Sequence, residues 1–151
     1  MTISFLLASV IALLQPKSPV AWSFSGQAQE DGRVRVSCVA QLEEGWHVYA
    51  TVLPSDQGPI ATSFRFEPST AFTVVGAVSE PEAKEEYDPN FGMVVRYHGG
   101  APAFEFLLQP TVQGPFTVKG EVEYMVCNDK TCLPPVAVAF AVEVPQQVQK
   151  H

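Results

Sequence analysis

The chain has 151 residues, which is long enough for one domain with a hydrophobic core of its own. Its net charge of −7 at pH 7 disfavours a nucleic acid or an anionic membrane as partner, because phosphate groups recruit clusters of Lys and Arg, and the nine basic residues here are scattered. With 46% hydrophobic and 17% charged residues, the composition is neither collagen-like nor that of a disordered chain.

The first segment of the chain has the pattern of an export signal. An apolar run over residues 3–14 contains only two serines and ends at a Gln-Pro-Lys sequence. It is too short to span a bilayer and matches the apolar part of a secretory signal peptide. We therefore predict a signal peptide at 1–19, a domain at 20–145 and a polar tail at 146–151, with a first β-strand or an uncleaved anchor as the alternative for the first segment. An export signal places the protein in the periplasm or another oxidising location.

The rest of the chain alternates with the two-residue period of β-strands. Residues 33–42 are the clearest example, because every second side chain is apolar. With 13 prolines and 10 glycines, no window sustains an amphipathic helix of three turns. About eight or nine short strands predict an all-β fold, an immunoglobulin-like β-sandwich, with a barrel as the alternative. The other strand-like runs, separated by turn signals, are 20–29, 46–53, 63–66, 72–78, 93–98, 104–109, 116–126 and 136–144.

The three cysteines of the chain cannot all pair with one another. Cys38 lies on the apolar face of the strand at 33–42, beside Val36 and Ala40. A free cysteine in such a position acts as a small hydrophobic residue. We expect Cys38 to be a buried, unmodified core thiol.

The other two cysteines, Cys127 and Cys132, enclose the sequence Asn-Asp-Lys-Thr and are followed by Leu-Pro-Pro. Four residues of this type predict a hairpin loop, which places the two cysteines opposite each other and suits a disulfide. Closing so short a loop adds only about 2 kcal/mol of stability. A redox-active pair, a structural disulfide and a metal site are the alternatives. The exposed tip favours the redox pair, and the metal site lacks a second pair of ligands.

Residues 79–92 interrupt the succession of strands with an acidic segment that carries two aromatic residues. A connection of this length in a sandwich is either a mobile surface loop or a functional lid. Tyr87 and Phe91 favour burial, which indicates a lid at 85–92. We expect Phe91 to lie against the disulfide, with Tyr87 as the alternative. The alternative is a surface loop whose aromatic residues pack on the nearest sheet.

Three stretches of the chain resemble one protein family, in the family's own order. The sequence from Tyr124 to Pro135, with its Cys-Leu-Pro-Pro, resembles the active-site hairpin of the N-terminal periplasmic domain of the thiol:disulfide interchange protein DsbD. Residues 45–49 (Gly-Trp-His-Val-Tyr) resemble the aromatic strand near the start of that domain. Residues 87–92 (Tyr-Asp-Pro-Asn-Phe-Gly) resemble the segment that carries its active-site cap.

The resemblance implies an immunoglobulin-like sandwich that exchanges thiols and disulfides. Cys127 and Cys132 would be the catalytic pair; Cys132 would form the mixed disulfide with a partner and Cys127 would resolve it. The expected active-site cap and partner-binding residues are His47, Tyr49, Tyr87, Asp88 and Phe91.

The resemblance also implies partners. In this family the domain receives electrons from a membrane electron-transfer protein through a thioredoxin-like domain, and passes them to disulfide isomerases and to proteins of cytochrome c biogenesis. We therefore expect a monomer that interacts with thioredoxin-fold proteins and a membrane electron-transfer protein. We expect it to bind no nucleic acid, small-molecule cofactor or metal. Such a chain would be a component of a protein-disulfide reductase.

The sequence departs from the family in two respects. One residue fewer separates the cysteines than in the best-known members. The membrane conduit and the thioredoxin-like domain are expected to be separate proteins, unless the domain has another task such as oxidant sensing. Two functions from other classes compete with exchange: a non-catalytic binding sandwich with a structural hairpin disulfide, and a metal chaperone that combines thiolates with Met or His.

Overall fold

The structure, a computed structural model, describes residues 18–145, and these form β-strands joined by turns. Most of the predicted signal peptide at 1–19 and the whole tail at 146–151 lie outside the described residues. Within 18–145, no helix is long and apolar enough to cross a membrane. The strands are β1 (Val20–Ala28), β2 (Val34–Leu42), β3 (His47–Tyr49), β4 (Ser63–Phe66), β5 (Phe72–Ser79), β6 (Lys84–Asp88), β7 (Met93–His98), β8 (Ala103–Pro110), β9 (Phe116–Tyr124), β10 (Val126–Cys127) and β11 (Val136–Val144).

The strands form three antiparallel sheets. The first sheet has the order β1-β2-β8-β5, the second β11-β9-β4, and the third, called the site sheet below, β10-β3-β7-β6. Aromatic rings join the first and second sheets: Trp22 of β1 meets Tyr124 of β9 with ring centroids 5.3 Å apart, and Phe24 of β1 stacks on Phe140 of β11 at 4.7 Å. Two antiparallel sheets packed face to face confirm the predicted all-β, immunoglobulin-like sandwich.

The strand pattern of β2 is confirmed in the main core. Its alternate side chains are buried, and Cys38 is a fully buried free cysteine opposite Phe24 and Phe104 on the neighbouring strands. The main core consists of the buried residues Val20, Val34, Val36, Cys38, Ala40, Leu42, Val48, Phe72, Phe104, Phe106, Leu108, Val118, Val122, Tyr124, Val126, Phe140, Val142 and Val144.

The acidic segment at 79–92 differs from the sequence prediction. It is not one long irregular connection, because Lys84–Asp88 forms β6 and pairs along its whole length with β7. Four of its five residues are exposed, and the strand lies at the edge of the site sheet. A charged edge strand has no apolar alternation, so the periodicity that identifies half-buried strands is missing here.

The strand predicted at 116–126 is also divided in the structure. β9 ends at Tyr124 and belongs to the second sheet, whereas Val126 and Cys127 pair with β3 in the site sheet. Tyr124 and Val126 contribute to the main core. Met125 and Cys127 point the other way, into a second hydrophobic cluster. The alternation of side chains thus continues while the chain changes sheets.

We predict that Gly120→Ala destabilises the fold by about 1–3 kcal/mol, because overpacking forces neighbouring atoms apart. Gly120 is paired with Phe66 on one side and Phe140 on the other. An added Cβ would lie 2.7 Å from the Phe140 ring and closer still to the Arg65 carbonyl oxygen. Gly114→Ala is the matched control, since a Cβ there meets nothing within 4 Å, and should cost less than about 0.5 kcal/mol. Urea unfolding measures both; equal stability of the two variants would contradict the close packing at Gly120.

We also predict that Cys38 resists alkylation in the native, reduced protein. Burial raises the pKa of its thiol to about 12, so the thiol stays protonated at pH 8. The side chain also has no exposed surface, so the reagent cannot reach the sulfur. Mass spectrometry after iodoacetamide treatment should show label on Cys132 well before Cys38. Labelling of Cys38 at the rate of Cys132 would show that it is not a core thiol.

Candidate functional site

The site is built around a disulfide at the neck of a short hairpin. Cys127 and Cys132 are bonded to each other, with their Cα atoms 4.1 Å apart, and they form an antiparallel bridge. The Asn128 side chain organises the loop between them, because its Oδ1 accepts hydrogen bonds from the N–H groups of Lys130 and Thr131 at 2.9 and 2.8 Å. The predicted hairpin with opposed cysteines is present.

The two cysteines differ in their access to solvent. Cys127 is fully buried, whereas Cys132 is half-buried and is followed by the exposed residues Leu133 to Pro135. The fixed φ and missing N–H groups of the two prolines prevent a regular ladder at this point, and β11 begins only at Val136. A molecule that approaches the disulfide therefore reaches Cys132 first.

The register of the site sheet decides which side chains share a face with Cys127. Cys127 is directly opposite His47, and Tyr49 is directly opposite Tyr97. Further along, Met93 at the start of β7 is opposite Asp88 at the end of β6. Opposed residues and residues two apart along a strand lie on the same face. This face therefore carries Cys127, His47, Tyr49, Tyr97, Val95, Met93 and Asp88.

A buried hydrogen-bond network lies on this face beside the disulfide. The Tyr49 hydroxyl donates to Asp88 Oδ2 at 2.6 Å, and the backbone N–H of Asn90 donates to Asp88 Oδ1 at 2.8 Å. His47 Nε2 lies 3.3 Å from the Tyr49 hydroxyl and 3.8 Å from Asp88 Oδ2. Asp88 is only 4% exposed, and these donors satisfy a carboxylate that would otherwise be costly to bury.

Burial sets the protonation of the network. It lowers the pKa of His47, although the Asp88 carboxylate opposes that shift. It raises the pKa of Tyr49, and the hydrogen bond to Asp88 acts in the same direction. At neutral pH the imidazole is therefore uncharged and the phenol keeps its proton.

The disulfide also belongs to a small hydrophobic cluster, called the sulfur cluster below. Its members are the buried residues Tyr49, Val95 and Cys127 and the partly buried Leu53, Phe91, Met93, Tyr97, Met125 and Cys132. The ring of Phe91 meets that of Tyr49 edge to face, with centroids 6.2 Å apart. The cluster surrounds the sulfur atoms with apolar and aromatic groups, which lowers the local polarity.

Of the two aromatic residues considered for a cap, the structure brings Phe91 to the sulfur cluster and does not bring Tyr87. Tyr87 is opposite Val94, and both lie on the other face of the site sheet; Tyr87 is 66% exposed. Asp88, next in the chain, points to the cysteines because side chains alternate along β6. The turn after it is closed by hydrogen bonds from Phe91 and Gly92 N–H to the Asp88 carbonyl, with Gly92 at φ +65°.

Two contributions to the site are missing from the sequence predictions. The Asn90 side chain donates from Nδ2 to the Asn128 carbonyl at 2.9 Å and joins the β6–β7 turn to the cysteine loop. The ring of Tyr97 lies 4.7 Å from that of His47, and the Tyr97 hydroxyl donates to Glu86. Asn90 and Asn128 are 38 residues apart, so no local pattern indicates their contact.

No group of three or more His, Cys, Asp or Glu side chains able to hold a metal ion occurs in the part of the chain that the structure describes. The site instead combines a disulfide with one accessible cysteine, an apolar surround and a neutral imidazole held by a carboxylate and a phenol. Thiol–disulfide exchange needs a disulfide sulfur that a thiolate can reach and a second sulfur that can leave, and this disulfide offers both.

The chain is similar to one protein family and to several solved structures. The sequence profile of the family "Thiol:disulfide interchange protein DsbD, N-terminal" matches residues 12–144. No curated protein sequence matches the chain. Several solved structures share its fold, and the three described next have low sequence identity to it.

The first is the DsbD N-terminal domain of Neisseria meningitidis in the reduced form, at 18% identity and a TM-score of 0.58 over 89% of this chain and 96% of that one. The second is the complex between the DsbD and PilB N-terminal domains of the same organism, at 18% identity and a TM-score of 0.57 over 86% and 87%. The third is the N-terminal periplasmic domain of ScsB from Proteus mirabilis, at 16% identity and a TM-score of 0.54 over 84% and 47%.

The family profile extends over most of the chain and includes the β3 strand, the β6–β7 turn and the cysteine hairpin that build the site. The chain belongs to the family of the N-terminal domain of the thiol:disulfide interchange protein DsbD.

Proposed function

We propose that this chain is a periplasmic thiol–disulfide exchange domain that relays reducing equivalents to or from partner proteins through Cys127 and Cys132. The observation that carries the proposal is the hairpin disulfide itself, with one buried and one accessible cysteine, in a chain of this family. A bond that closes so short a loop contributes little to stability, and the sandwich has a large core without it.

The difference in burial supports different roles for the two cysteines. A partner thiolate attacks the sulfur of Cys132, the Cys127–Cys132 bond breaks, and Cys127 leaves with the bonding electron pair and takes up a proton. The second partner thiol then resolves the mixed disulfide and releases Cys132. Two electrons and two protons pass from the partner dithiol to the pair, and the reverse sequence oxidises the pair again.

The turn that carries Phe91 has the properties of a displaceable cap. Sulfur–aromatic contacts are worth roughly 0.3–1.5 kcal/mol. The polar contact between Asn90 and the Asn128 carbonyl is exposed to solvent and adds a similarly small amount. Interactions of this size keep the resting site covered, yet a docking protein can replace them. The cap thus restricts exchange to partners that bind the surface around it.

The partners we infer are thioredoxin-fold proteins and a membrane electron-transfer protein, met by a monomeric domain at 20–145. One related structure is a complex of a DsbD N-terminal domain with the N-terminal domain of PilB, and another relative is described as a periplasmic domain. His47 and Phe91 are partly exposed beside the disulfide, where a docked partner could contact them, and the exposed ring of Tyr87 would border that surface. Tyr49 and Asp88 are buried behind them and would act on a partner through His47.

A redox titration against glutathione tests the proposal. An exchanging pair should have a reduction potential above about −300 mV, because structural disulfides lie below that value. A lower potential would identify a binding sandwich with a structural hairpin disulfide.

We predict that Cys127→Ser traps a partner through Cys132, because Cys132 is accessible and its resolving thiol is gone. The probe is a single-cysteine thioredoxin activated as a mixed disulfide with 2-nitro-5-thiobenzoate, and non-reducing electrophoresis measures the product. Cys132→Ser is the matched variant and should trap far less, since Cys127 is buried. Equal trapping by both variants would refute the division of roles and leave exchange itself intact.

We further predict that Phe91→Ala speeds reduction of the disulfide by dithiothreitol roughly two- to tenfold, the factor that corresponds to a lost sulfur–aromatic contact. The effect on Tm should be small, because Phe91 is only partly buried. Tyr87→Ala is the control, since its ring is exposed on the other face of the sheet. If the wild type and both variants were reduced at the same rate, the turn would be an ordinary surface turn and no cap.

A further inference from the structure

The burial of Cys127 raises a question of proton transfer. Whenever the disulfide forms, Cys127 must lose a proton, and whenever it opens, Cys127 must regain one. The residue has no exposed surface, and its neighbours in the sulfur cluster are mostly apolar or aromatic. Bulk water does not reach Cys127 in the closed structure, so a side chain has to exchange that proton.

His47 is the titratable residue directly across the strand pair from Cys127. Directly opposed residues of an antiparallel pair have Cβ atoms roughly 4.5–5.5 Å apart and side chains on the same face. His47 is mostly buried, with 13% of its side chain exposed, and its ring is packed edge to face on Tyr49. The imidazole is therefore held next to the cysteine and keeps a narrow connection to solvent.

The hydrogen bonds of Tyr49 determine which nitrogen of the neutral His47 ring carries the proton. The Tyr49 hydroxyl has one proton, and it donates that proton to Asp88 Oδ2 at 2.6 Å. The Tyr49 oxygen can then only accept from His47 Nε2, which lies 3.3 Å away. The proton of the neutral ring is thus on Nε2, and Nδ1 carries a free lone pair. Once Nδ1 is also protonated, the nearby Asp88 carboxylate stabilises the imidazolium.

We propose that His47 accepts the proton of Cys127 when the disulfide forms and returns it when the disulfide opens, with Tyr49 and Asp88 as the positioning residues; this inference rests on the proposed exchange function. In the forming direction, the Cys127 sulfur bonds to Cys132, the bond between Cys132 and the partner sulfur breaks, and the partner leaves as a thiolate. The Cys127 proton passes to His47 Nδ1 and then to solvent or to the departing thiolate.

Other charged groups lie around His47, and the carboxylates of Asp88, Asp129 and Glu86 favour its protonated form. The titratable and charged groups near His47 come from its own strand, from β6 and β7, from the cysteine loop and from the turn before β3. They are Tyr49, Asp88, Glu86, Lys84, Tyr97, Asp129, Glu43 and Glu44. Burial outweighs them and lowers the pKa of His47 below its ordinary value, so the ring is ready to accept a proton at neutral pH.

The test starts from fully reduced protein treated with the aryl disulfide of 2-nitro-5-thiobenzoate, which forms a mixed disulfide with Cys132. Stopped flow then measures the release of 2-nitro-5-thiobenzoate from that mixed disulfide between pH 5 and 9. The second equivalent of the coloured thiolate reports attack by Cys127. In the wild type, this rate should fall as pH drops through the pKa of His47, because a protonated ring accepts no proton. His47→Gln should lose that inflection and react at least about tenfold more slowly at pH 7, a modest share of the usual general-base contribution.

His98→Gln is the matched control. His98 is buried in the same sheet, but it is opposite Val48 on the face turned towards the main core. Its removal should leave the inflection in place. Asp88→Asn supplies a second measurement that needs no change at His47: without the carboxylate the pKa of His47 falls further, and the inflection should move to lower pH.

The outcomes separate this inference from the exchange function. If the wild type releases the second equivalent and His47→Gln gives the same rate and pH profile, the proton-transfer role is refuted and exchange stands. If the wild type keeps a stable mixed disulfide, exchange itself is refuted. Should His47→Gln fail to fold by circular dichroism, an unchanged inflection in Asp88→Asn would still overturn the role of His47.

Discussion

The pairing register of the site sheet is the constraint on which the rest of the site depends. Side chains in a strand alternate between the two faces, so a slip of one residue would turn His47 or Asp88 away from Cys127. The register of β3 and β10 is fixed because their side chains on the other face, Val48 and Val126, are buried in the main core. The packing of the sandwich thus fixes the geometry of the chemistry on the other side of a thin sheet.

The polar groups of the site are stabilised in their buried positions by hydrogen bonds to one another. Asp88 accepts from Tyr49 and from the turn N–H of Asn90, and His47 completes the chain of contacts. In a medium of low polarity such bonds are strong, and an unsatisfied member would be expensive. The burial that strengthens these hydrogen bonds also lowers the pKa of His47 and keeps Cys127 out of contact with solvent.

The main hydrophobic core and the disulfide lie in different parts of the fold. The main core lies between the first and second sheets and is rich in aromatic contacts, whereas the sulfur cluster has three fully buried and six partly buried members. The chain passes from one to the other at Met125, between β9 and β10. The Phe91 ring and the exposed hydrogen bond from Asn90 to the Asn128 carbonyl lie at the sulfur cluster, outside the main core.

The sequence by itself determined the strands with strong alternation, such as β2, the burial of Cys38 and the opposed cysteines of the hairpin, because these depend on period and short-range turn chemistry. The resemblance to the family predicted cap and partner-binding residues at His47, Tyr49, Tyr87, Asp88 and Phe91, and their roles stay a prediction. Tertiary structure alone decided the strand β6, the placement of Phe91 in the sulfur cluster with Tyr87 on the opposite face of the sheet, and the contact of Tyr49 with Asp88. These depend on the register between strands that are distant in sequence, since pairing, and not local preference, determines which face each side chain occupies.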